Sequence, residues 1–162
     1  MESVLVERVA CERLWREYAD RLVLYAASIL GDRGAGEDVV QTFFVRLLTA
    51  PGIIDSEAGF LFRSVRNEAL DAMRSSRRAS RAREHLFDLR SADPRDEAEL
   101  AEFRSNVEHE LDALPPEQRE AVVLKIWGEL TFPEIAAILG ATEKAVEHRY
   151  YRALELLESR LK

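Results

Sequence analysis

The stretch TFPEIAAILGATEKAVEHRYYRAL, Thr131 to Leu154, contains the start and stop signals of two short helices joined by a tight turn. Thr131 followed three residues later by Glu134 is a capping box, which marks the start of a helix. Gly140 is suited to the left-handed conformation that ends a helix, and Thr142 can cap the next one. The pattern predicts a helix-turn-helix.

The second helix of this motif has an apolar and a polar face. Its apolar residues recur at spacings of three and four, which predicts that they pack inward: Val146, Tyr150, Ala153, Leu154 and Leu157. On the polar side, Arg149 and Arg152 are suited to phosphates or guanine. Carboxylates at Glu143, Glu147 and Glu155 oppose the electrostatic attraction to DNA. We expect weak intrinsic DNA binding, and a plain helical hairpin remains an alternative.

Elsewhere the apolar residues also recur at helical spacing, and strand-like alternation is hard to find. The predicted helices run from about Val4 to Leu30, from Gly36 to Leu48, from a Ser56 cap into the basic run Arg74–Arg83, from Leu100 to Leu114 and from Pro116 to Trp127. The segment DLRSADPRDE, Asp88 to Glu97, contains Pro94 and has no apolar period. The sequence therefore predicts an all-α protein of two small helical domains, 1–86 and 100–162, joined by a flexible acidic linker, 87–99.

Charge is unevenly distributed along the chain, whose net charge is -7. Residues 57–83 hold seven bases and three acids, whereas residues 84–117 hold three bases and eleven acids. A basic block beside an acidic one indicates an anion-binding face and a segment that stays off that face or imitates it. On charge alone, solvated helix faces of both signs explain the pattern equally well.

Several classes of protein are disfavoured by the composition. The single Cys11 rules out an internal disulfide and favours a reducing, cytoplasmic setting, with the thiol buried or incidental. No apolar run approaches the roughly 18 residues of a membrane span, and no signal peptide is evident. The histidines, His85, His109 and His148, are scattered, and there is no Gly-rich phosphate loop. We therefore expect no enzyme activity, no metal and no cofactor.

Three segments together resemble the extracytoplasmic-function (ECF) sigma factors of bacteria, and the resemblance runs end to end. The segments are GEDVVQTFFVRLL (Gly36–Leu48), FLFRSVRNEALDAMRSSRR (Phe60–Arg78) and the stretch from Leu114 to Leu154. A helix-turn-helix is common, but its pairing with an RN-ALD-type basic helix is specific. The resemblance implies a sigma factor that binds core RNA polymerase, recognises promoter DNA and directs transcription initiation. The VEH-RAL pattern resembles the iron-uptake branch, which implies an anti-sigma factor as a further partner.

The resemblance also implies three sets of site residues. The polymerase-binding set is Glu37, Asp38, Gln41 and Phe44. The downstream set, which would flank the separated promoter strand, is Phe60, Arg63, Arg66, Asn67, Arg74, Arg77 and Arg78, and the loop Thr49–Ser56 would hold a flipped base. The upstream set, which would face the upstream element in the major groove, is Thr142, Lys144, His148, Arg149 and Arg152.

Two other functions remain open from the sequence. One is an ordinary helix-turn-helix regulator that binds duplex DNA without polymerase. The other is a sigma-like interaction module that has lost its DNA contacts. Glu143 and Glu147 favour the second, and many members of the family have a basic residue in place of Glu147 and basic residues where this chain has Leu154 and Glu155.

Overall fold

The computed structural model describes residues 4–5, 8–49, 53–54, 57–75 and 98–161. Its helices are α1 (Arg8–Leu30), α2 (Arg33–Thr49), α3 (Glu57–Ser75), α4 (Ala98–Ala113), α5 (Pro116–Val122), α6 (Phe132–Leu139) and α7 (Glu143–Arg160). Two-residue strands, β1 (Val4–Leu5) and β2 (Ile53–Ile54), pair antiparallel with Val4 opposite Ile54. The all-α prediction is confirmed, with this short pairing as its one addition among the described residues.

Three predicted helix starts were wrong. α4 begins at Ala98 rather than Leu100, so residues 98 and 99 of the predicted linker are helical. The other two differences have a local cause. α1 begins at Arg8 rather than Val4, because Val4 and Leu5 are extended and pair with β2. α2 begins at Arg33 rather than Gly36, because the Asp32 side chain accepts a hydrogen bond from the Gly34 N–H at 3.0 Å and so holds the first turn. The Ser56 cap, the basic run after Ser75 and the linker up to residue 97 lie outside the described residues. The domain limits stay a prediction.

The N-terminal unit, α1 to α3, is built around α1. This helix packs against α2 and α3, and its residues Leu14, Leu22 and Tyr25 are fully buried. Tyr25 meets Phe62 of α3 with ring centroids 5.7 Å apart. Cys11 is also buried, which is one of the two alternatives that the sequence left open. Burial raises the pKa of its thiol.

The C-terminal unit, α4 to α7, contains the predicted helix-turn-helix. Thr131 and Glu134 form the capping box, Gly140 ends α6 with a φ of 63°, and the Thr142 hydroxyl accepts a hydrogen bond from the Ala145 N–H. Before it, α5 continues as a π-helical segment, Val123–Trp127, so the predicted helix Pro116–Trp127 has the right span but changes its winding. The helix-turn-helix prediction is confirmed.

The two units are packed against each other. α1 contacts both α5 and the π-helical segment, and α3 contacts α6. Buried residues of both units belong to one continuous apolar core, which includes Phe62 and Val65 on one side and Val122 and Leu124 on the other. The helix-turn-helix is therefore docked beside α3.

Gly36 allows α1 and α2 to approach closely. A Cβ atom at this position would lie 2.8 Å from the backbone nitrogen of Ala27 and 3.0 Å from the carbonyl oxygen of Val23. Both neighbours are backbone atoms of α1, so relief requires a shift of the helix itself.

We expect Gly36→Ala to lower the free energy of unfolding by about 1–3 kcal/mol, because overpacking forces backbone shifts of that cost. Gly34→Ala is the matched control on the same helix, since its nearest contact would be 3.5 Å away, at the Asp32 side chain. Urea unfolding followed by circular dichroism measures both. Equal stability of the two variants would show that the helices do not depend on this close approach.

Candidate nucleic-acid interface

The upstream set lies on α7 and at its cap. Lys144, His148 and Arg152 are exposed, and the Thr142 hydroxyl is engaged in capping the helix. Arg149 is half-buried, with its Nε atom 3.8 Å from a carboxylate oxygen of Glu117. The basic surface of the helix-turn-helix therefore has a carboxylate from a neighbouring helix beside it.

Most of the upstream set lines a shallow groove at the start of α5. Its walls are the N-terminal end of α5 and one side of α7, and they comprise Pro115, Pro116, Glu117, Gln118, Ala145, His148, Arg149 and Arg152. Within α7, Arg152 lies 3.6 Å from Glu155, its neighbour three positions on. Because three of these four side chains are exposed and Arg149 is only half-buried, the pairs are weak and a phosphate can replace the carboxylates.

The downstream set is distributed along α3. Arg63 and Asn67 are exposed and lie four positions apart, so their side chains are neighbours on one helix face. Arg74 is exposed near the helix end and pairs with Asp71 at 3.1 Å. Arg77 and Arg78 lie outside the described residues. The structure thus brings Arg63 and Asn67 together and places Arg74 about two turns further along.

Phe60 differs from the exposed members of the downstream set. Its ring packs against Phe43 of α2, with ring centroids 6.0 Å apart and an interplanar angle of 54°. Part of the ring is therefore used in the packing of α2 on α3.

Arg66 is bound to the other unit of the chain. Its Nε donates to Oε1 of Glu120 on α5 at 2.6 Å, and the hydroxyl of Tyr25 on α1 donates to the same oxygen at 2.5 Å. The two charged side chains are only 24% and 17% exposed. Burial lowers the pKa of Arg66, but the hydrogen bond and charge of Glu120 more than offset it, so the pKa is raised overall.

Two further arginines join the units on either side of Glu120. Arg119 is buried and donates to four carbonyl oxygens, those of Leu111, Asp112 and Leu114 at the end of α4 and that of Ser28 near the end of α1. Arg21 of α1 donates to the carbonyl oxygen of Gly128 at 3.0 Å and to the Glu129 carboxylate at 3.1 Å. Glu129 has a φ of 55°, which non-glycine residues rarely adopt.

The sequence did not reveal these contacts between the units. Glu120 is 95 positions from Tyr25 and 54 positions from Arg66. Arg119 and Glu120 sit in PPEQREAV, which reads as an ordinary charged helix start. The only signal was the charge asymmetry of the chain, a basic block in α3 and an acidic block that ends at Glu117, three residues before Glu120.

The polymerase-binding set lies on α2. Glu37, Asp38 and Gln41 are exposed, whereas Phe44 is only 5% exposed and meets Trp15 of α1 edge-on, with ring centroids 5.1 Å apart. Sequence reasoning missed the exposed apolar residues beside it, which are Trp15, Val45 and Leu48. Val45 and Leu48 follow Asp38 and Gln41 at helical spacing, so one stripe of α2 is acidic at its start and apolar at its end.

The part of the chain that the structure describes contains neither a membrane-spanning helix nor a metal site. None of the described helices combines the length and apolarity that a membrane crossing requires. No group of three or more His, Cys, Asp or Glu side chains in the described ranges is placed to hold a metal ion.

Comparison with known proteins identifies the family. The family model for Sigma-70 region 2 matches residues 14–79, and that for Sigma-70, region 4 matches residues 104–157. The RNA polymerase sigma factor CarQ of Myxococcus xanthus is 30% identical over 94% of this chain and 89% of its own length. The chain belongs to the sigma-70 family of RNA polymerase sigma factors.

Relatives place this sigma factor in the ECF group. It is 36% identical to the probable ECF RNA polymerase sigma factor SigI of Mycobacterium tuberculosis, over 91% of this chain and 54% of SigI. The chain therefore spans about half the length of this relative. Its fold is similar to that of CnrH solved in complex with the cytosolic domain of CnrY, with a TM-score of 0.62 and 29% identity over 94% of this chain and 88% of CnrH.

The arginine that joins three helices should be essential to the stability of this sigma factor. In Arg119→Lys a single ammonium replaces a guanidinium that donates to four carbonyl oxygens. Different nitrogens of the guanidinium reach the carbonyl oxygens of Leu111 and Ser28, and one ammonium cannot replace them all. We expect a loss of about 2–4 kcal/mol in the free energy of unfolding, since each unsatisfied buried polar group costs roughly 1–3 kcal/mol. Urea unfolding measures it, with the exposed Arg16→Lys as the control. If Arg119→Lys lowers the free energy of unfolding no more than the control does, Arg119 does not have the assigned role.

Proposed function

We propose that this sigma factor binds core RNA polymerase, recognises promoter DNA and directs transcription initiation in the cytoplasm, with no catalysis of its own. One combination of observations carries the proposal. α3 exposes Arg63 and Asn67 on one face, and a capped helix-turn-helix exposes Lys144, His148 and Arg152 on another. A chain with two DNA-facing surfaces of different kinds suits a protein that reads a promoter at two places.

The downstream surface has the chemistry of single-strand binding. Proteins that hold a separated strand combine cationic side chains with stacking or hydrogen-bonding groups. Arg63 and Arg74 supply the cations and Asn67 supplies an amide that can pair with a base edge, while the loop 49–56 would hold a flipped base. Arg66, Phe60, Arg77 and Arg78 complete the proposed set.

The upstream surface fits duplex DNA that is presented by polymerase. Arg149 and Arg152 each have a carboxylate within 4 Å, that of Glu117 or Glu155, and these oppose the backbone phosphates. Binding to polymerase makes the DNA contact effectively intramolecular, which raises the occupancy of a weak site. We therefore propose weak upstream binding by the free chain and productive binding in the holoenzyme.

The stripe on α2 fits a polymerase surface that is basic at one end and apolar at the other. Glu37 and Asp38 offer charge to a basic partner, which favours encounter, and Val45 and Leu48 with Trp15 offer apolar area that a partner can bury. Phe44 would contribute indirectly, because its ring packs against Trp15 and holds that side chain in place.

A regulator is part of the proposal. CnrH, a relative in fold at 29% identity, was solved in complex with the cytosolic domain of CnrY. By analogy we propose that a partner protein binds this chain, and the family resemblance implies that this partner is an anti-sigma factor. Membership in the iron-uptake branch rests on the VEH-RAL pattern alone and is proposed on that basis.

Each of the two units would carry one part of this function. We propose that residues 1–86 bind polymerase and open the downstream element, that residues 100–162 read the upstream element, and that residues 87–99 link them. The acidic linker would run through the polymerase interior, where its charge stands in for nucleic acid.

Reconstitution with core RNA polymerase tests the proposal directly. Run-off transcription from a genomic fragment library, with the products sequenced, should give discrete start sites that share two upstream elements. Polymerase binding without discrete starts would favour the sigma-like interaction module. No polymerase binding, together with duplex binding by the chain alone, would favour the ordinary regulator.

Substitutions on the exposed face of α3 should impair promoter opening. We expect Arg63→Ala and Asn67→Ala each to cost about 1–3 kcal/mol in open-complex formation, the usual value of a base or strand contact. Permanganate footprinting of the opened strand measures it, and polymerase affinity should stay unchanged. Normal opening by both variants would place the strand elsewhere.

A charge reversal on α2 should weaken polymerase binding. Asp38→Arg is expected to raise the Kd for core polymerase at least about tenfold, which corresponds to roughly 1.4 kcal/mol. Asp20→Arg on the exposed side of α1 makes the same change in net charge and serves as the control. Full affinity of Asp38→Arg in a fluorescence titration would show that the polymerase surface lies elsewhere.

A further inference from the structure

Two groups can accept hydrogen bonds from the guanidinium of Arg66, a carboxylate of its own chain and a phosphate of the DNA strand. In the proposed function it faces the separated promoter strand, but in the chain it is bound to Glu120, with Nε 2.6 Å from the carboxylate oxygen. A carboxylate and a phosphate both accept charge-assisted hydrogen bonds from a guanidinium. Glu120 therefore fills the position that a strand phosphate would need.

Glu120 is held from the N-terminal unit on two sides. Tyr25 of α1 donates its hydroxyl hydrogen to the same carboxylate oxygen that Arg66 binds. The ring of Tyr25 is fully buried. Burial, followed by the charge of Glu120, raises the pKa of Tyr25 well above its ordinary value, so the hydroxyl keeps its proton and remains a donor.

Contacts on both sides of Glu120 keep α5 in place against α1. Arg119, the residue before Glu120, donates to the Ser28 carbonyl oxygen at 3.2 Å. Further along, Arg21 binds the Gly128 carbonyl oxygen and the Glu129 carboxylate. The position of Glu120 is therefore supported by the neighbouring contacts of α5, and its own hydrogen bonds are among those that hold the C-terminal unit against α1 and α3.

We propose that α5 is a built-in competitor of promoter DNA, in which Glu120 occupies Arg66 until the C-terminal unit moves away. This inference rests on the proposed function, because that function gives Arg66 its role at the strand. A site that is available only in an open minority of molecules has its apparent affinity reduced by that fraction. The closed chain thereby holds a separated strand more weakly than an open chain in which Arg66 is released.

Glu120→Gln tests the competition, since it keeps the shape of the side chain and removes its charge. The assay is fluorescence anisotropy of a labelled single-stranded 20-nucleotide DNA of mixed sequence, without polymerase. We expect at least about fivefold tighter binding, the lower end of usual coupling between linked sites. Glu158→Gln, exposed on α7, makes the same change in net charge, and its affinity should equal that of the unaltered chain.

Tyr25→Phe provides a second test, because this substitution leaves the net charge of the chain unchanged. It removes one hydroxyl from a buried ring that cannot touch DNA in the closed chain, and we expect about twofold tighter binding or more. Adding Arg66→Ala to Glu120→Gln should abolish the gain. Small-angle scattering should show a larger radius of gyration for Glu120→Gln, while circular dichroism confirms unchanged helix content.

The outcomes separate this inference from the proposed function. Unchanged DNA affinity in Glu120→Gln and Tyr25→Phe, in chains that transcribe normally with polymerase, would overturn the competition alone. An equal gain in Glu158→Gln, or a gain without expansion, would overturn it as well. A gain with expansion in a chain that never supports transcription would uphold the competition and defeat the proposed function. If Glu120→Gln does not fold, Tyr25→Phe decides.

Discussion

The buried guanidinium of Arg119 is the contact on which the arrangement of the two units depends. A charge is costly to bury unless it is fully hydrogen-bonded, and here four carbonyl oxygens accept from it. Three of them close the end of α4 and one lies near the end of α1. The C-terminal ends of helices carry partial negative charge, so a cation is stabilised there. One side chain thereby holds α5 against α4 within the C-terminal unit and against α1 of the N-terminal unit.

The position of Glu120 follows from that of its neighbour. With α5 fixed by Arg119, Glu120 reaches across to Tyr25 and Arg66, and Arg21 secures the π-helical segment further along. Some acidic side chains of the C-terminal half thus bind specific partners in the N-terminal unit, which the net charge of -7 does not reveal. The same principle applies to Glu117 beside Arg149, where a carboxylate lies next to a cation expected to meet DNA.

Local signals in the sequence predicted the fold well. The capping box of Thr131 and Glu134, the left-handed Gly140 and the Thr142 cap are all decided within a few residues, and all are present. Contacts between distant segments were not predictable in this way. The pairing of Val4 with Ile54 shortened α1, and the docking of α5 bound Arg66, because each depends on a partner about 50 residues away. Phe44 was assigned to a surface by resemblance, yet its ring lies beneath Trp15, because apolar residues of an amphipathic helix fill the core first.

Under the proposed function, Arg66 exchanges Glu120 for a promoter strand when the sigma factor enters the holoenzyme, and the C-terminal unit moves away from α3. Spin labels at Asp71 of α3 and Ala137 of α6, both exposed, report on the contact between these helices, with Cys11 replaced by serine. Pulsed electron resonance gives their separation in the free chain and in the complex with core polymerase and promoter DNA. We expect one short distance in the free chain and a longer one in the complex. The same short distance in both would show that the two units stay packed together and that Arg66 does not exchange partners.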